Sequence, residues 1–151
     1  MINIGVVGYS NDRINHDHAS ALLQSAILQL IGQHTTAALP ADIRIISGLT
    51  NIGIPKLAYQ IADQHGYRTV GISAQRALTV NCGIYPVDEQ IIVGLEFGDE
   101  SECFIDAIDY LIRVGGGKQS RREVELFKSK CITLGRDLRV HLVEQELSLQ
   151  V

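Results

Sequence analysis

Cysteine is scarce in this 151-residue chain: Cys82, Cys103 and Cys131 are odd in number, far apart and contain no C-x-x-C pair. That spacing suggests neither a disulfide framework nor a zinc site, so reduced, largely structural thiols are expected. Long apolar runs are missing as well. No stretch approaches the roughly 18 apolar residues of a membrane span, and no basic segment precedes the first apolar run, which ends at Gly8. A soluble, unprocessed, cytoplasmic protein without membrane contact is the expectation. Positive charge is also in short supply, with 13 Lys and Arg against 17 Asp and Glu and a net charge of −4. From Gly115 onward there are seven basic and five acidic residues, which leaves six basic and twelve acidic residues before it. So acidic a body disfavours nucleic acid, whose backbone needs a wide positive footprint. The local cluster Lys118, Arg121 and Arg122 still suits a small anion.

What is present is an alternation of strand-like and helix-like segments. Ile2–Val7, Ile43–Ser47, Arg68–Ser73, Gln90–Glu96, Tyr110–Val114 and Leu138–Val143 read as strands, several closed by small residues. Helical patterns run over 18–33 and 55–65, with an acidic turn at 99–106 and a last helix from Ser120 to about Cys131. Asp17 suits the N-cap of the first helix, and Pro55 a first helical turn. Asp12, His16, Asp17 and His18 lie close together, but such a loop pair of histidines is weak as a metal signal, and no metal is expected. A linker containing Pro40 separates the first helix from the second strand. The alternation predicts one α/β domain over 1–151, a doubly wound, mostly parallel sheet. Ligands of such sheets bind just outside the carboxyl ends of the strands.

The stretch from Tyr110 to Glu123 is the chemical centre of the chain. It runs as a strand, breaks on Gly115, Gly116 and Gly117, and resumes as a helix. Three glycines allow a ligand close to the backbone, and the helix start offers free N–H groups to an anion. A second reading needs no ligand: Ser120 and Glu123 have the S-x-x-E spacing of a capping box.

The order of these motifs resembles the Rossmann-like superfamily of the LOG proteins and the DNA-processing protein DprA over about residues 2–130. The LOG signature P-G-G-x-G-T-x-x-E lines up without gaps on Gly115-Gly-Gly-Lys-Gln-Ser-Arg-Arg-Glu123. Ser47-Gly-Leu-Thr50, Gly53 and the segment Gly66–Ser73 resemble the middle motifs of both relatives. Gly115 stands for the Pro, Gln119 for a Gly and Ser120 for the Thr. Glu100 and Ser101 occupy the places of a nucleotide-contacting Arg-Lys pair, so an anionic substrate would meet repulsion where the family has a charge-assisted bond. Arg76, Arg113, Arg121 and Arg122 are the candidates to replace that arginine.

The resemblance implies a nucleotide or other phosphate-bearing small molecule as ligand, with no cofactor, and a homodimer. The phosphate would rest on the amides of Gly115, Gly116, Gly117, Lys118, Gln119 and Ser120. Gly8, Tyr9, Ser10, Gly48, Leu49, Thr50 and Gly53 would form the base and sugar side. It implies further that Glu123 would be catalytic if the chain is a diverged nucleoside 5′-monophosphate phosphoribohydrolase. A DprA-like single-strand DNA or partner-binding module is the third possibility.

Overall fold

Six strands form one sheet in the order β4-β3-β2-β1-β5-β6, with every ladder parallel. They are β1 (Ile2–Gly8), β2 (Ile43–Ser47), β3 (Arg68–Ser73), β4 (Glu89–Ile92), β5 (Tyr110–Val114) and β6 (Leu142–Gln145). The computed structural model describes residues 1–34 and 38–150; three linker positions and the last residue lie outside them. Among the described residues, five α-helices accompany the strands: α1 (His16–Ile31), α2 (Gly53–His65), α3 (Ser101–Ala107), α4 (Lys118–Leu134) and the single turn α5 (Leu138–His141).

Because side chains alternate along a strand, β1 feeds two cores. Ile2, Ile4 and Val6 pack with Leu23, Ile27 and Leu30 of α1 and with Ile54, Ala58 and Tyr59 of α2. Val7 faces the other way, toward Phe104 and Ile105 of α3 and Val124 and Phe127 of α4. Each sheet face is therefore covered by one helix pair, as strands buried on both faces require. The doubly wound α/β expectation holds, and the sheet proves wholly parallel.

Local chemistry moved several element ends. Asn15 caps α1 by accepting from His18 N at 3.0 Å, while Asp17 lies inside the first turn, so Asp17 is not the cap. Asp137 accepts from Arg139 N at 2.9 Å and turns Leu138–His141 into α5, which delays the last strand to Leu142. Asp99 accepts from Leu95 N and Glu96 N, both at 3.0 Å, and this turn ends β4 at Ile92. The poorly patterned stretch after Ser73 holds a 3-10 turn, Gln75–Thr79, and a loop bridged at Thr50 and Ile84.

Candidate functional site

The strand order reverses between β1 and β5, since β1 leads on to β2 on one side and β5 to β6 on the other. At such a switch point the loops after adjacent strands diverge and leave a crevice. The loop after β1 is fixed to the start of α2: Ile54 N donates to Tyr9 O at 2.8 Å. Gly53 makes that junction possible, because with φ at +66° an added Cβ would sit 2.1 Å from Tyr9 O.

The loop after β5 is fixed from behind. Arg113 is 2% exposed, and its guanidinium donates to Glu144 at 2.7 Å, Glu146 at 2.6 Å and Gly115 O at 2.9 Å. Gly115 N in turn donates to Gln145 O at 2.8 Å. Thus β6 and the segment after it anchor the glycine turn, and Tyr9 packs over Gly115 where a side chain would stand.

α4 starts at Lys118 with Gly117 as its N-cap, and no side chain caps it. The Ser120 hydroxyl donates instead to Gly8 O at 3.2 Å, which ties the helix to β1. The capping-box reading of Ser120 and Glu123 is therefore overturned: both residues lie inside the helix, and the helix end is left open. Outside the helix no backbone hydrogen bond engages the amides of Lys118, Gln119 or Ser120 among the described residues. These donors are the positive end of a 17-residue helix.

They open on a cleft of about 530 Å³. Gly8, Tyr9 and Ser10 line it from β1, Ser47, Gly48 and Thr50 from β2, and Gly117, Lys118, Gln119, Ser120 and Glu123 from α4. Four of the residues singled out in the sequence are not in its wall. Leu49 is fully buried and packs against Gly71, Gly53 serves the α2 junction, and Gly115 and Gly116 are buried beneath the loop. Sequence reasoning missed Ser73, Phe97, Phe104, Val80 and Cys82, which also line the cleft. Ser73 ends β3 beside Ser47 at the end of β2, so its strand-end position was the available signal. The others lie on loops or on α3 and carried none.

The floor is acidic. Glu100 is 5% exposed and Glu123 is 7% exposed, and both line the cleft. Gln119 Nε2 donates to Glu100 Oε1 at 2.9 Å, and Gly98 N donates to Oε2 at 3.0 Å. Burial, with the nearby charge of Glu100, pushes the Glu123 carboxyl up to about 7; the Ser101 hydroxyl and the Arg122 charge act weakly the other way. Of the candidate replacement arginines, Arg113 and Arg121 pair with Glu146 and Arg76 with Glu96. Only Arg122 approaches the floor, at 3.4 Å from Ser101 Oγ. Asp12 and His16 pair at 3.2 Å, and no group of three potential ligands for a metal occurs among the described residues.

No family model and no curated protein matches the chain. Solved structures do. The molybdenum cofactor carrier protein of Chlamydomonas reinhardtii is 18% identical, with a TM-score of 0.62 over 93% of this chain and 74% of its own. The structural-genomics target TM1055 is 17% identical, with a TM-score of 0.63 over 97% and 92%. The molybdenum cofactor binding protein of Rippkaea orientalis is 21% identical, with a TM-score of 0.60 over 93% and 86%. The chain has the fold of these structures. At such identity the likeness speaks for the architecture: the Rossmann-like fold expected from the motif order is the one adopted. No described helix is long and apolar enough to cross a membrane.

Proposed function

We propose that this protein binds a nucleotide or other phosphate-bearing small molecule, with the phosphate on the amides of Lys118, Gln119 and Ser120 and without the standard LOG reaction. The observation that carries the reading is the uncapped start of α4 opening on the cleft at the switch point of the sheet. Lys118 adds positive charge at the rim. Two structural relatives, described as carrying or binding the molybdenum cofactor, support a small-molecule ligand. Catalysis of the LOG kind is disfavoured because Glu100 stands beside Glu123 where the family pairs its acid with an arginine.

A second reading has support in the same geometry. A buried Glu123 with its pKa near 7 is poised to exchange a proton, as a diverged phosphoribohydrolase would require. Release of free base from nucleoside monophosphates, abolished by Glu123→Gln, would establish it. A DprA-like single-strand binder ranks third, since the acidic floor opposes a phosphate chain. The homodimer and the cytoplasmic setting implied by the sequence belong to the same proposal, and a sedimenting mass twice that of the chain tests the first.

Thermal denaturation in a panel of millimolar nucleoside mono- and diphosphates tests the leading reading. A ligand at 100 times its Kd adds about 2.7 kcal/mol, and so raises Tm by roughly 5–10 °C. Lys118→Glu and Ser120→Asp place negative charge at the phosphate site and should abolish the shift. A panel that leaves Tm unchanged contradicts the reading.

A further inference from the structure

The segment 146–150 follows β6 without regular structure, yet both its ends are tied to the elements that wall the cleft. At its start, Glu146 accepts from Arg113 Nη2 at 2.6 Å and from Arg121 Nη2 at 3.5 Å, which joins it to the glycine turn and to α4. At its end, Gln150 N donates to Arg13 O at 2.7 Å. The segment therefore bridges the two loops that flank the switch point.

The loop 9–15 joins β1 to α1 and carries Tyr9 and Ser10 in the cleft wall. Ahead of α1, its backbone is bound to the rest of the molecule at two places among the described residues: Tyr9 O by Ile54 N, and Arg13 O by Gln150 N. Asn11 Oδ1 accepts from Arg13 N at 2.7 Å, so the hold on Arg13 reaches back to the neighbour of Ser10. Leu147 supports the other end of the loop. It is 8% exposed in the core on which Tyr9 packs, and a Cβ added to Gly115 would stand 2.5 Å from the Tyr9 ring and 2.9 Å from Leu147 O. Ring and segment meet over the glycine turn.

Resting on the phosphate reading, we infer that the segment 146–150 is a latch of the ligand site, in which Leu147 and Gln150 are positioning residues that hold Tyr9 and Ser10 against the part of the ligand beyond its phosphate. The phosphate itself rests on α4 and needs neither. A loop free to move at Arg13 has to be ordered when the ligand arrives, and that lost entropy weakens binding. By reciprocity, a ligand that touches Tyr9 or Ser10 tightens the latch.

Isothermal titration of AMP, GMP and inorganic pyrophosphate, together with hydrogen exchange, tests this. Gln150→Pro deletes the N–H that Arg13 O accepts, and Gln150→Ala keeps it. Ile14 is 2% exposed and still fixes the end of the loop in the core, so both variants should fold. In the unliganded protein, exchange over 9–14 should quicken in Gln150→Pro and not in Gln150→Ala. Both nucleotides should bind Gln150→Pro and Leu147→Ala about five- to tenfold more weakly, and Leu147→Met should bind them as the unmodified protein does. Pyrophosphate should bind every variant equally. The nucleotides, and not pyrophosphate, should slow exchange over 146–150. Unchanged exchange over 9–14 in Gln150→Pro overturns the latch whatever binds. Nucleotide affinities equal in all variants also overturn it, as does a loss shared with pyrophosphate, since the segment would then act through the glycine turn. Either result leaves the phosphate reading standing. No binding of nucleotide or pyrophosphate to the unmodified protein overturns both.

Discussion

Glu123 carries the clearest chemical signature of any single residue. Its carboxyl has a pKa near 7 in the folded chain against 4.5 for the free group. Between those values the folded state holds a proton that the unfolded chain has released. Rising pH therefore favours unfolding across that window, and the loss levels off above pH 7. From about pH 4 to about pH 8 the cost should reach about 3 kcal/mol. Glu123→Gln removes it, so denaturant unfolding of the two proteins should diverge with pH, the variant being the more stable at pH 8. Equal pH profiles would show that the carboxyl is not buried as described. The sequence made this residue visible through its place in the signature, and Glu100 through the missing arginine. It did not show that the two acids face one cleft, because α3 and α4 come together only in the tertiary fold. Phe97 and Cys82 had no motif to announce them.

At the scale of elements, the site depends on two junctions that hold loops to helix starts. Gly53→Ala would force a side chain against Tyr9 O at a positive φ, displacing the β1 loop from α2. A loss of about 2 kcal/mol is expected in chemical denaturation, with weaker ligand binding because Tyr9 and Ser10 move. Arg113→Ala would release Gly115 and strand its two glutamates. As Glu144 and Glu146 retain access to water, the expected loss is about 2 kcal/mol, short of what a fully buried pair would cost. Element existence was legible here, since strand periodicity and glycine breaks fix it locally. The starts and ends were less so. Asn15, Asp99 and Asp137 set three of them by side-chain to backbone bonds, and each had competing cap residues nearby. The glycine turn shows the same limit: Ser120 looks like a cap by spacing, but its hydroxyl is drawn to Gly8 across the sheet.

For the whole molecule, the order of strands decides where a ligand can go. Alternating strands and helices imply a parallel sheet, but not which strand lies beside which. Placing β5 next to β1 creates the switch point and turns two loops more than a hundred residues apart into facing walls. The two cores make that arrangement rigid. Phe127 is fully buried between α4 and the sheet beside Val124 and Cys131, and Phe127→Ala should cost about 3–5 kcal/mol in denaturant unfolding, since the truncation leaves a cavity in that core. The central claim is that this switch-point cleft is the ligand site. Cys82 provides its most direct test, because it lines the cleft and is exposed, whereas Cys103 is half-buried and Cys131 buried. The rate of Cys82 alkylation, followed by mass spectrometry, should fall severalfold at a saturating concentration of the nucleoside phosphate that raises Tm most and stay unchanged in Ser120→Asp. An unaltered rate under conditions where that nucleotide raises Tm would place the bound ligand elsewhere and contradict the account.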